Sequence, residues 1–163
     1  MVQDMVLSPT DKKELRSKIL AACIQQRKGV VSDIRKRIYS MMANDLTLGK
    51  EEYDFHQLTY NTEAMMEISM LRDELELAAR ELNCLMHIPN YADHDHEHVE
   101  YGSIVETDKE IFFVSIGTDR MYVDGISFVG LSANSPIYQA MKGKSQGDLF
   151  FHDDVGYLIT EVF

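Results

Sequence analysis

The sequence predicts an α+β protein whose helices come first and whose sheet comes second. Three observations carry this. Between residues 8 and 85 apolar residues recur at helical spacing and only Gly29 and Gly49 interrupt. After residue 93 the pattern changes to alternation with β-branched and aromatic residues. One short helix, from about Ser135 to Lys142, then interrupts the strands.

"SPTDKKEL" opens the first helix. Ser8 suits the cap, Pro9 the first turn, and Asp11 and Glu14 complement the positive end of the helix dipole. Leu15, Ile19, Ala22, Val30, Ile34, Ile38 and Met41 mark its apolar face to about Asn44. "QQRKG" (25–29) breaks that stripe. A second helix is expected from about Lys50 to Leu85, with Leu58, Met65, Ile68, Leu71, Leu75, Ala78, Leu82 and Leu85 as a heptad-like seam. "ANDLTLGKEEYD" (43–54) joins them. Two helices of about 35 residues make an antiparallel coiled-coil hairpin about 50 Å long. With the turn centred near residues 46–47, facing residues have numbers adding to about 93. Leu15 would then face Ala78, Ile19 face Leu75, and Ile34 face Leu58, while Cys23 and Cys84 would stand too far apart for a disulfide.

The strand segments are "HVEYGSIVE", "EIFFVSIG", "DRMYVDGISFVG", "LFFH" and "YLITEVF". Gly/Asp turns between them favour a small antiparallel sheet. The expected domains are a hairpin over 1–86, with its tip at about 44–52, and an α+β domain over 87–163.

Charge narrows the function. The net charge is −11, which opposes binding to free nucleic acid. Its distribution is uneven: +4 over residues 1–49, −6 over 50–85 and −9 over 86–163. A basic first helix beside an acidic second one suits their pairing. No apolar run approaches the roughly 20 residues of a membrane span, and the N-terminus lacks the order of a secretory signal. Those features and two unpaired cysteines point to the cytoplasm.

The most specific stretch is "SANSPIYQAMKGKSQGDLF" (132–150). Locally it is helix grammar: Ser135 caps, Pro136 opens, Gly143 ends the helix, and Gly147-Asp148 turns into a strand. Its combination S-P-I-x-x-A-x-x-G-K-x-x-G-D, after "ISFVGLSAN" and before a closing strand, resembles the C-terminal domain of the Gre family of bacterial transcript-cleavage factors. The long helical hairpin in front is that family's other half. Similarity at the level of motifs covers about residues 126–163, and the order of parts covers nearly the whole chain.

The resemblance implies an FKBP-like C-terminal domain that docks at the rim of the RNA polymerase secondary channel, with the hairpin reaching to the active centre. Acidic tip residues there help hold a second Mg²⁺, so that the polymerase cleaves its own backtracked RNA. Carboxylates suit this role because Mg²⁺ prefers oxygen ligands and a two-metal site stabilises attacking and leaving oxygens. The factor itself is then no enzyme, and the Mg²⁺ is shared with the polymerase and not bound by the isolated protein.

The family tip reads D-L-x-E-N-x-E-Y, whereas this chain reads "DLTLGKEEY" (45–53). Asp45 matches, Glu52-Tyr53 matches after a one-residue insertion, and Leu48-Gly49 stands where the family has Glu-Asn. Asp45 with Glu51 or Glu52 is the candidate metal-clamping set; the alternative is that all three are helix-terminal charges. A factor with such an inert tip would bind polymerase without stimulating cleavage. Arg35, Lys36 and Arg37 are candidates for contact with the nascent RNA 3′ end, or else partners of the acidic helix. Asn134, Ser135 and Pro136 correspond to the docking loop.

"DHDHEHVEY" (93–101) is absent from the family pattern. In a strand, His94, His96 and His98 would share a face and present a candidate Zn²⁺ site. A spacing of about 6–7 Å between alternate residues is wide for one ion, which favours a solvated linker. A peptidyl-prolyl isomerase is a further alternative, opposed by the absence of tryptophan.

Overall fold

The structure, a computed structural model, describes residues 8–47, 55–88 and 96–163. Its elements are α1 (Pro9–Thr47), α2 (Phe55–Met86), β1 (Ile104–Thr107), β2 (Ile111–Ser115), β3 (Arg120–Val123), β4 (Ile126–Ser132), α3 (Pro136–Met141), β5 (Leu149–His152) and β6 (Val155–Val162). A long helical region therefore precedes a six-stranded sheet with one small helix, as an α+β chain should. The chain divides into two compact units, residues 24–83 and residues 1–23 with 84–163.

Within residues 24–83, α1 and α2 pack through Ile38, Ile68 and Leu71, with Ile34, Met41 and Leu75 against them. Arg27 pairs with Glu81 at 3.0 Å and Arg37 with Glu67 at 2.5 Å, so the basic helix does lie along the acidic one. These pairs correct the expected register. Their numbers add to 108 and 104, not to about 93. The cause is the length of α1, which runs on to Thr47 while α2 starts only at Phe55, moving the centre of the connection later. Leu75, expected opposite Ile19, packs instead in the cluster around Ile38. The side chain of Leu58, the expected partner of Ile34, lies outside the described residues.

In the other unit α1 begins with a reciprocal cap. The Ser8 amide donates to Asp11 Oδ2 at 3.1 Å and the Asp11 amide donates to Ser8 Oγ at 3.2 Å. The Ser8 hydroxyl, donating to Asp11 Oδ2 at 2.6 Å, and then the Ser8 amide hold the Asp11 carboxyl below its ordinary value. Three cations of this first stretch reach the C-terminal segment. Lys12 pairs with Glu161, Lys18 with Asp124 at 2.7 Å, and the Arg16 guanidinium donates to the Gly102 carbonyl at 3.0 Å and 3.2 Å. Cys23 is buried and Cys84 exposed, and no disulfide joins them.

The strands run in the order β3-β4-β2-β1-β6-β5. The sheet is mixed, where an antiparallel one was expected: β2 and β4 are parallel, with Phe112 beside Val129 and Val114 beside Leu131. The reason is the tight β3–β4 hairpin. Asp124 and Gly125 turn it with φ of 51° and 78°, and β4 then returns along β2 in the same direction. The first strand is also shorter than "HVEYGSIVE", because residues 96–103 form bends and a turn and pairing starts at Ile104.

Alternation places Val105, Phe112, Val114, Leu131, Phe150 and Ile159 on one face, where they bury Tyr138 and Met141 of α3. Tyr157 stacks on Phe150 at 5.0 Å and meets Phe112 edge-on at 6.1 Å. Ile104, Phe113 and Phe128 alternate with that set and are themselves fully buried. No helix among the described residues is long and apolar enough to cross a membrane.

Candidate functional site

The loop ahead of α3 is the best-defined candidate site. The Ser135 amide donates to the Ser132 carbonyl at 3.0 Å, and the Ser135 carbonyl accepts the Gln139 amide at 3.0 Å. The Gln139 side chain donates back to the Ala133 carbonyl at 2.6 Å. Behind the loop, Tyr138 and Met141 anchor α3 in the core. The backbone is thus committed internally, and Asn134 and Pro136 are left exposed beside half-buried Ser135. Ser135 occupies the cap position, but its hydroxyl makes no capping bond, contrary to the expected side-chain cap. Gly143 is left-handed as expected, with φ of 74°, but α3 already ends at Met141 with Lys142 as its extended cap, and Gly143 serves the turn in which the Lys144 amide donates to the Met141 carbonyl at 3.1 Å.

The candidate tip residues stand apart from this loop in the sequence. Glu51 and Glu52 lie outside the described residues, and so does the side chain of Asp45. Arg35, Lys36 and Arg37 are all exposed on α1. Arg37 is engaged by Glu67, whereas Arg35 and Lys36 make no ion pair among the described residues.

Of the histidines, His94 lies outside the described residues. His96 is buried, with Nε2 at 3.1 Å from Arg16 Nη2 and Nδ1 at 2.6 Å from Glu100. His98 Nδ1 is 2.6 Å from Ser145 Oγ. The two rings thus serve different partners, and they stand in an irregular segment and not on a strand. No cluster of three metal-ligating side chains occurs among the described residues.

Two linkages escaped the sequence. Arg16, His96 and Glu100 form a polar chain between residues far apart along the protein, which periodicity has no means of signalling. Glu106 and Glu161 face each other across β1 and β6. Burial, then the charge of Glu161, raises the Glu106 carboxyl above its ordinary value, and Lys12 offsets part of this.

No protein-family model matches the chain, and no curated protein does. Among solved structures it is similar to that of the transcription factor Gfh1, with 16% of residues identical. That likeness covers 86% of this chain and 93% of the other, at a TM-score of 0.31.

Proposed function

We propose that this chain is a Gre-type transcription elongation factor that binds RNA polymerase through its secondary channel and stimulates cleavage of backtracked RNA. The observation that carries the reading is the braced loop before α3, which presents Asn134 and Pro136 outward on a rigid support, in a chain whose long helices precede that domain. In this reading Asn134, Ser135 and Pro136 dock on the polymerase. Arg35 and Lys36 meet the RNA phosphates, and Asp45 with Glu51 or Glu52 helps position Mg²⁺ in the polymerase active centre. The chain supplies carboxylate oxygens and a rigid delivery arm, and the polymerase supplies the hydrolytic chemistry.

A second reading rests on Leu48-Gly49, which stand where the family carries Glu-Asn. With one carboxylate missing from its usual place, the chain would occupy the channel without promoting cleavage and would compete with active factors.

The test adds the purified protein to a stalled, backtracked elongation complex and follows the RNA length. Shortened RNA, lost with Asp45→Ala, is the result expected of an active tip. Binding without shortening selects the second reading. No binding to polymerase refutes both.

A further inference from the structure

The strand β5 closes one edge of the sheet and carries an apolar face that the docking loop does not explain. In its ladder with β6, Leu149 stands opposite Leu158 and Phe151 opposite Gly156. Phe150 turns into the core and is 2% exposed, while Leu149, Phe151 and Leu158 turn outward and are 57%, 69% and 39% exposed. Part of the Phe151 ring shields Gly156, whose Cβ position would lie 3.1 Å from Cε1. Most of the ring remains in solvent.

The backbone of the same two residues is also presented. The Ile159 amide donates to the Asp148 carbonyl at 2.9 Å. The Ile159 carbonyl accepts the Gly147 amide at 2.8 Å, so Gly147 and Asp148 together face one residue in a bulge at the start of β5, and the Asp148 amide turns back to the Ser145 carbonyl. By the alternation of an antiparallel ladder, Phe150 and His152 direct their N–H and C=O groups toward β6, and Leu149 and Phe151 direct theirs to the open edge. Soluble sheets ordinarily guard such an edge with Lys, Pro or a bulge. Here the bulge stands only ahead of the strand, at Gly147 and Asp148, while Leu149–His152 itself contains neither Lys nor Pro and pairs in unbroken register.

Charge identifies what fits. Residues 145–163 contain Asp148, Asp153, Asp154 and Glu161 but no Lys or Arg. Glu161 is engaged by Lys12. The others flank β5: Asp148 precedes it, and Asp153 and Asp154 form the turn after it with φ of 50° and 62°. Lys109 is held by Asp108 and the Gly156 carbonyl, and Asp153 Oδ2 lies 3.3 Å from His152 Nε2 at the end of β5. A second copy of this chain is a poor occupant. Antiparallel pairing of β5 with itself about Phe151 would set Asp148 opposite the other copy's Asp154, with no Lys or Arg of this stretch between the two acidic sets, and like charges directly opposite are destabilising.

We propose that β5 is a strand-addition site for an extended segment of another protein that alternates apolar residues with Lys or Arg. Main-chain bonds to Leu149 and Phe151 give affinity, apolar side chains cover the Leu149–Phe151–Leu158 face, and the basic residues reach Asp148, Asp153 and Asp154. This surface is additional to the loop proposed to dock on the polymerase.

The test uses the full chain, isotope-labelled, with amide exchange followed by NMR. The probe is a short blocked peptide alternating Val and Lys, and the control peptide alternates Val and Glu. Exchange at Leu149 and Phe151 should slow by about tenfold or more with the basic probe only. Phe151→Lys, on the surface, should abolish the protection. The double change Asp153→Asn with Asp154→Asn should weaken it, since Asn keeps the left-handed turn while removing the charge. The proposal is overturned by unchanged exchange, by equal protection from both peptides, or by protection that rises with protein concentration when no peptide is present.

Discussion

Gly130 shows how one missing Cβ can hold a strand pair together. A Cβ there would lie 2.5 Å from the Ile116 carbonyl and 2.7 Å from Thr118 Oγ1, and the Gly130 amide already donates to that hydroxyl at 2.8 Å. The first obstacle is backbone and has no rotamer to escape into. Gly130→Ala should therefore cost about 2–3 kcal/mol, measured by denaturant unfolding. Glu106 makes the opposite prediction. Its carboxyl is raised in the folded state, so it supports the fold when protonated and loses that support as pH rises through its folded value. Glu106→Gln should raise the melting temperature at neutral pH, with the gain vanishing in acid. Because the group is partly exposed, the gain stays below about 1 kcal/mol. Neither residue announced itself in the sequence. A glycine in an alternating run signals a close approach without naming its partner, and the cross-strand neighbour of Glu106 depends on which strands pair.

At the level of elements, the helices were legible because apolar residues recur three and four apart along most of each, despite the break at 25–29, and their charge asymmetry foretold a basic helix along an acidic one, as the Arg27–Glu81 and Arg37–Glu67 pairs have it. The register was not legible. It depends on where α1 stops, and "DLTLGK" contains no proline and only one glycine to mark the end. The sheet followed the same division. Strand faces came from alternation, but the parallel β2–β4 pair came from the route the chain takes through the β3–β4 hairpin. Packing and charge should contribute unequally to the hairpin. Ile38→Ala removes buried surface against Ile68 and Leu71 and should cost about 2–3 kcal/mol. Arg37→Ala, whose ion pair is largely exposed, should cost less than about 1 kcal/mol. Thermal unfolding of the two variants side by side checks the difference.

On the scale of the whole molecule, the uneven charge sorts the surfaces by partner. Arg35 and Lys36 are exposed cations on an otherwise strongly acidic chain, and they sit in the helix that leads toward the tip. Replacing both with Ala should weaken binding to a backtracked elongation complex and flatten its salt dependence, as loss of phosphate contacts requires. The same double change should leave binding to polymerase without nucleic acid nearly intact. The loop before α3 was the part of the candidate site most visible in the sequence, since its Ser-Pro start and Gly-Lys stop dictate local geometry. The acidic tip was the least, because a one-residue change in loop length redirects every carboxylate. The central claim, that the hairpin enters the polymerase channel while the loop before α3 holds the rim, is tested most directly by site-specific photo-crosslinking. A photoreactive residue in place of Leu48 should capture the RNA 3′ end in a backtracked complex, and one in place of Asn134 should capture the polymerase itself. Capture of no RNA from position 48 and no polymerase from position 134 would contradict the account.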